Sequence, residues 1–437
     1  MLNKIFAYTQ SKTEYLYKNS LILQNIDLLI LISILAVFVS SIFANSESIG
    51  IFAIFASVFT FINLLVKRGN RLECNKFELF LLAYFMLVII SLFGSSLFML
   101  SLKGFIKILI YLGFYISLVQ YLKTNKEKIW WIILVIACCA SYEVFLGLVQ
   151  TFIRPEAIST WQDTTYLNPE QIINRVYGTL KPLNPNLFGG YLVAVIPILL
   201  GSICYFLFKN NKILYFLFAI PALLSFYVLL QTGCRGAYLG TFAIFIFLVC
   251  IIYKLINKNL RKTYLSIVGA ITIFETMLLL SITSFRARIF SIFAMRTDSS
   301  NSFRFNVYNS CVDMFKDNWL VGIGLGNGNF REIYGLYMKT GFDALSAYNI
   351  YLETAVESGI FALLCYIAFL ISVIYCSYKY ITTKEYSPEV IAVTVALAGI
   401  IGLLVHGFVD TVFFRPQIQF LFWTMVAIIR TQTAEKV

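Results

Sequence analysis

The sequence predicts an all-α fold: a polytopic membrane helix bundle of about twelve spans with two long external (periplasmic) loops. Three observations carry that prediction. Of 437 residues, 59% are hydrophobic and only 13% charged, against about half and about a quarter in a soluble globular protein. The apolar residues fall in runs of roughly 20, the length that crosses a hydrocarbon core, separated mostly by short polar connections. Lys and Arg are dense in alternate connections and sparse in the others. This composition excludes an ordinary soluble enzyme and a disordered chain. The formal charge of +12 does not argue for nucleic acid, because the basic residues sit between apolar runs rather than on one solvated face. The expected partner is the lipid bilayer. Nine cysteines without C-x-x-C spacing and a single His give no metal or redox motif, so no metal and no cofactor is expected.

Taken in order, residues 1–27 are mostly polar and read as a cytoplasmic flank on the membrane surface, with no cleavable leader. Residues 28–152 hold five spans (28–44, 49–66, 77–93, 105–121 and 129–152). Residues 153–186 form the first external loop. Four central spans occupy 187–285 (187–208, 213–230, 237–256 and 264–285), and 286–349 is the large external loop. Residues 350–437 hold three further spans (360–381, 390–406 and 416–429) and a short cytoplasmic tail. Orientation follows from charge. Lys4, Lys12 and Lys18, then Lys67, Arg68, Arg71 and Lys76, then Lys123, Lys126 and Lys128 fall on one side, and the alternation stays in phase to Arg430. The positive-inside bias places that side, with both termini, in the cytoplasm of a bacterial inner membrane.

The long loops are the functional candidates, because long ordered connections in a compact protein usually serve a purpose. In the second, Phe303, Val307, Cys311, Met314 and Phe315 recur at helical spacing after the polar run 298–302, which predicts a short amphipathic helix. The loops are rich in arginine: Arg154 and Arg175, then Arg286, Arg288, Arg296, Arg304 and Arg331. A guanidinium fork suits bidentate contact with phosphate or carboxylate, so the group points to an anion site at the outer boundary. The competing reading pairs each arginine with Asp298, Asp313, Asp317, Glu332 or Asp343 nearby.

Four motifs stand out. Arg175-Val-Tyr-Gly178 leads into Leu183-Asn-Pro-Asn-Leu-Phe-Gly-Gly-Tyr191, and Thr232-Gly-Cys-Arg-Gly-Ala237 forms a tight turn between spans. Ser302-Phe-Arg304 precedes Trp319-Leu-Val-Gly-Ile-Gly-Leu-Gly-Asn327, and Ser346-Ala-Tyr-Asn349 precedes Glu353 and Glu357-Ser-Gly359. In this order they resemble the O-antigen ligase and polymerase superfamily of membrane proteins, from roughly the fifth span to the end. Arg304 and the run Leu345-Ser-Ala-Tyr348 are most similar to a cyanobacterial subgroup named for inorganic-carbon (bicarbonate) transport. The resemblance implies a metal-independent membrane glycosyltransferase. Such ligases take a glycan from an undecaprenyl diphosphate carrier and join it to an acceptor hydroxyl at the outer face. Arginines hold the diphosphate, and a His beside Asn acts as base. Arg235 and Arg304 stand at the arginine positions, with Arg175 a further candidate, and Asn349 keeps the Asn.

The His position falls on Tyr348. Tyrosine titrates near pH 10, so it would need a shift of about three units, worth roughly 4 kcal/mol, to serve as a neutral-pH base. Tyr348 therefore stands at the catalytic position without the chemistry that position requires. Two alternatives follow: an inorganic-carbon (bicarbonate) transporter or accumulation factor using the same arginines, and a non-catalytic binding relative.

The remaining candidates are singled out by cost. Glu143 and Glu275 lie inside predicted spans, where carboxylates are expensive and mark cavities or ion coupling, unless they serve as structural pairs. Glu143 lies roughly 21 Å along its helix, placing it to line a cavity beneath the arginines. His406 lies near the outer end of its span with Asp410 one turn on, which puts both on one helical face as a stray base or a pH-sensitive pair, against the plainer reading of a helix-end hydrogen bond at the interface. The glycines at 322, 324, 326 and 328 imitate a dinucleotide loop, but no strand–turn–helix unit is readable and the loop faces outside, so a tight turn that lets backbone approach the membrane face or a ligand closely is expected instead.

Overall fold

The structure, a computed structural model, describes residues 2–153, 175–293 and 299–433. The described residues are helical with no strand. Most of the first external loop, including Arg154, and Arg296 with Asp298 in the second lie outside them.

The bundle begins with α1 (Leu2–Asn19) and α2 (Leu21–Gln24), followed by α3 (Ile26–Phe43), α4 (Ser46–Val66), α5 (Lys76–Gly94), α6 (Phe98–Thr124) and α7 (Ile129–Ile153). After the first long connection come α8 (Pro185–Phe208), α9 (Lys212–Gln231), α10 (Arg235–Leu255) and α11 (Arg261–Ser281). Three shorter helices follow: α12 (Thr283–Phe290), α13 (Ser299–Asp317) and α14 (Asn327–Tyr334). The chain ends with α15 (Ile350–Thr383), α16 (Pro388–His406) and α17 (Pro416–Thr433).

Eleven of the described helices are long and apolar enough to cross a membrane. The predicted twelfth, α17, falls outside that group because Gln417, Gln419, Thr424 and Arg430 make it too polar. It nevertheless runs from the cavity described below, at Arg415, to the opposite end, where Arg430 Nε donates to Glu78 Oε2 over 3.0 Å at the start of α5. Nearly all of α17 is buried by protein, and a helix shielded from lipid needs no lipid-compatible surface. Several of its polar groups bond internally: Gln417 Nε2 donates to Lys181 O and Trp423 to Gln419 Oε1.

The alternation of charge has a geometric counterpart. Lys67 contacts Asp27, Lys123 pairs with Glu73 at 2.8 Å, and Arg430 pairs with Glu78, all at one end. There α1 lies against α4, with Gln10 donating to Leu64 O at 2.8 Å and Thr13 to Leu65 O at 3.1 Å. Among the described residues, Arg175, Arg235, Arg288 and Arg304 gather around the cavity described below.

The amphipathic helix predicted in the second loop is α13. Val307, Cys311 and Met314 are fully buried, and with Ile323, Phe330, Tyr334, Ala344 and Ala347 they form a second, smaller core over the bundle. Burial of each large apolar side chain contributes roughly 1.5–3 kcal/mol, enough to hold this cap without extra cross-links.

The glycine-rich run explains how the cap joins the bundle. Its glycines at 322, 324 and 326 have positive φ. Their backbone lies along α15, with Ile323 N donating to Val356 O (2.9 Å) and Gly324 N to Glu357 O (3.0 Å). Those carbonyls are available because α15 kinks at Gly359 (φ 80, ψ 173). Ile360 N, released by the same kink, donates to Trp319 O at 2.9 Å. The expected close approach of backbone is thus to neighbouring helices.

Candidate functional site: an arginine-lined cavity

The Leu183–Tyr191 motif starts a helix. Asn184 caps α8 by accepting from Asn186 N and Leu187 N, and Pro185 occupies the first turn, where its missing N–H costs nothing. That cap leaves the Asn186 side chain free to bridge two partners. Its Oδ1 accepts from Arg175 Nη2, and its Nδ2 donates to Asp410 Oδ2 at 3.0 Å.

The Thr232–Ala237 turn joins α9 to α10 with Gly233 at φ 61 and Arg235 opening α10. Its carbonyls recruit further guanidiniums. Arg175 Nε donates to Thr232 O at 2.7 Å, and Arg288 Nε, from α12, donates to Gly233 O at 2.8 Å. Arg235 is 9% exposed and donates to Ser291 O at 3.1 Å. Arg304, on α13, donates to Val409 O (3.0 Å) and Ser300 Oγ (2.7 Å), lies 3.7 Å from Asp410 Oδ2, and sits over the Tyr348 ring at 5.6 Å.

These four arginines border one cavity of about 1570 Å³. Its lining also carries Lys107, Asp410, Glu353, Glu357, Tyr348, Arg331, Asp343 and Arg415. Apolar and aromatic side chains complete it: Ile51 and Ile54 of α4, Ile108 and Tyr111 of α6, Tyr84 of α5, Tyr366 of α15, and Phe420 and Trp423 of α17.

The competing ion-pair reading holds for only part of the group. Arg331 pairs with Asp343 at 2.8 Å on the exposed rim, and Arg304 leans on Asp410. Arg175 donates to neutral oxygens, with no carboxylate at ion-pair distance among the described residues. Burial pushes its pKa down from the usual guanidinium value. A buried cation with no carboxylate at ion-pair distance gains most from an anionic ligand.

Several sequence candidates stand elsewhere. Asn349 does not border the cavity. Its Oδ1 caps α15 by accepting from Tyr351 N and Leu352 N at 2.9 Å, and its Nδ2 donates to Phe408 O at 3.1 Å. Glu143 is fully buried but behind the cavity wall. It accepts from Thr179 N at 3.0 Å and from the Thr179 hydroxyl, fixing the chain between Arg175 and α8. Its cost is met by those bonds, the structural role weighed from sequence. Glu275 is exposed on α11, a helix with no buried residue, far from a cavity role because α11 contributes nothing to the lining. His406 is 2% exposed, with Nε2 at 3.7 Å from Cys234 Sγ, and also stands behind the wall. The helix ends at His406, so Asp410 does not share its face but turns into the cavity.

Tyr348 is in the cavity wall, in a left-handed backbone conformation (φ 51) stabilised by Tyr308 Oη donating to its carbonyl at 3.2 Å. Burial pushes its pKa above the ordinary tyrosine value, Asp410 adds to this, and Arg304 only partly opposes it. The shift is opposite to the one a general base needs. Sequence reasoning placed Arg288 in the arginine group but missed Lys107, Asp410, Glu353 and Glu357 as cavity residues. The last two stand within quoted motifs, and their helical spacing of four was the available signal.

No curated protein matches the chain. Residues 220–367, which supply Arg235, Arg288, Arg304, Tyr348 and both α15 carboxylates to the cavity, match the family model described as O-antigen ligase, so this part of the chain is similar to that family.

Proposed function

We propose that this protein binds an undecaprenyl-diphosphate-linked saccharide and transfers its glycan to an acceptor hydroxyl at the outer face of the inner membrane. The observation that carries this reading is a single cavity lined both by guanidiniums and by apolar and aromatic side chains. A lipid diphosphate has the same two-part chemistry. Arg175, Arg235, Arg288 and Arg304 face the diphosphate, and Ile51, Ile54, Ile108 and Phe420 face the first isoprene units. The positive-inside bias supports placing the lysine-rich end in the cytoplasm and the cavity outside.

The chemistry asks little of a cofactor. The acceptor oxygen bonds to the anomeric carbon as the bond from that carbon to the diphosphate oxygen breaks. The electron pair leaves with the diphosphate, whose charge the arginines stabilise, and the acceptor's proton passes to a base. Tyr348 orients ligand beside Arg304 rather than taking that proton.

The bicarbonate reading uses the same cations but little of the space. A four-heavy-atom anion displaces on the order of two or three waters at about 30 Å³ each, a small fraction of about 1570 Å³.

The test is binding of undecaprenyl diphosphate to the purified protein in nanodiscs, beside radiolabelled bicarbonate uptake in proteoliposomes. Arg304→Ala is expected to weaken lipid diphosphate binding by about 2 kcal/mol or more, roughly 30-fold, because it removes one member of a buried charged cluster. Bicarbonate uptake that depends on Arg304, with no lipid diphosphate binding, overturns the proposal.

A further inference from the structure

The cavity contains a buried carboxylate with no cation against it. Glu353, in the first turn of α15, is 2% exposed and borders the cavity. Its Oε2 accepts from Ala347 N at 2.9 Å, the peptide immediately before Tyr348. No hydrogen bond to Oε1 and no cation at ion-pair distance is found among the described residues, and Oε1 is not sealed from the cavity. A carboxylate placed this way is costly unless it has a use for its free oxygen.

Among the other carboxylates of the cavity, Asp410 and Asp343 have both a partner and a cation beside them, Glu357 has one oxygen engaged, and Glu47 stands exposed at the start of α4, away from Tyr348. Asp410 accepts from Val412 N at 3.1 Å through one oxygen and from Asn186 at 3.0 Å through the other, with Arg304 beside it. Asp343 is paired with Arg331 on the rim. Glu357 accepts from Gly326 N at 2.8 Å, holding the glycine-rich run, with Lys107 on its cavity side. Tyr308 is pushed up to about 12 by burial, and Tyr348 also lies above its ordinary value.

We infer that Glu353 is the proton acceptor of this cavity: Oε1 takes the proton of the acceptor hydroxyl as its oxygen bonds to the anomeric carbon and the diphosphate leaves. The inference rests on the glycan-transfer reading. The arrangement suits the task because Oε2 is pinned by Ala347 N, which fixes the carboxylate without consuming the oxygen that reacts. The proton then returns to water through the cavity mouth. The charged and titratable groups that face Glu353 are Glu357 on its own helix, Asp410 and Arg415 from the α16–α17 connection, and Tyr348 from the preceding loop.

The substitution that separates proton transfer from structure is Glu353→Gln. The amide oxygen still accepts from Ala347 N, but the side chain cannot take a proton. The probe is undecaprenyl-diphospho-N-acetylglucosamine in proteoliposomes, read both for binding and for release of free sugar, with water as the surrogate acceptor. Glu353→Gln is expected to bind as wild type does and to lose at least 100-fold in release, the lower range for a general base, while Glu353→Asp restores part of it. Release by Glu353→Gln within a few-fold of wild type, with binding intact, overturns the role of Glu353 and leaves the glycan-transfer reading standing. Absence of binding by wild type removes both. If wild type binds without releasing sugar, infrared difference titration decides. A carboxylic band that titrates across the neutral range and vanishes in Glu353→Gln supports the assignment, and its absence from wild type refutes it.

Discussion

Replacing Gly359 by Ala tests how the cap is joined to the bundle. Gly359 holds φ 80 and ψ 173, a region essentially reserved for glycine that costs any other residue about 1–3 kcal/mol. Sterics compound this. An added Cβ would lie 2.3 Å from Leu320 O and 2.6 Å from Leu320 C, backbone atoms that cannot rotate aside. Relief requires parting the two segments, which breaks the bonds from Ile360 N to Trp319 O, Ile323 N to Val356 O and Gly324 N to Glu357 O. At about 0.5–1.5 kcal/mol each, and with strain relieved as they break, the expected loss is about 1.5–4.5 kcal/mol. Gly269→Ala is the matched comparison, since nothing lies within 4 Å of its position in α11. It should be neutral or stabilising by up to about 1 kcal/mol, because Ala favours helix over Gly. Unfolding by SDS in mixed micelles, followed by circular dichroism, measures both. Equal midpoints for the two variants would show that the kink is not held by the contacts described.

Arg430→Gln should destabilise by about 3–5 kcal/mol, because it strips a nearly buried carboxylate of its cation. Glu78, which also accepts from Tyr115 Oη at 2.6 Å, is that carboxylate, and Glu78→Gln in the same chain should recover much of the loss in the same SDS titration. Asn349→Ala should cost about 1 kcal/mol of stability as a lost helix cap, with undecaprenyl diphosphate affinity unchanged. A drop in affinity without a drop in stability would return Asn349 to the binding site. Tyr308 binds its proton more tightly when folded, with a pKa raised by burial from 10.0 to about 12. Its contribution is therefore complete below pH 10.0 and lost as pH climbs towards about 12. Tyr308→Phe should flatten the alkaline stability profile over that window and cost about 1 kcal/mol at neutral pH, from the lost hydrogen bond to Tyr348 O.

The membrane class and the order of the long helices were legible in the sequence because each is a local property. A run of apolar residues is helical in lipid wherever it lies, since its backbone must satisfy itself, and Lys and Arg mark connections regardless of packing. The same holds for α13, whose buried Val307, Cys311 and Met314 recur at helical spacing. The gathering of Arg175, Arg235 and Arg304 was legible as chemistry, because guanidiniums kept against the charge bias need a reason. What only the tertiary structure decided is which polar groups meet. Glu143 and Glu353 are both carboxylates in apolar surroundings. One is satisfied by Thr179 behind the wall, whereas the other opens onto the cavity. Asn349 looked like a ligand contact and is spent on a helix cap, while Asp410 is turned inward because α16 ends four residues before it. Hydrogen-bond partners separated by tens or hundreds of residues are chosen by packing, and packing is a property of the whole bundle, so no window of sequence contains it.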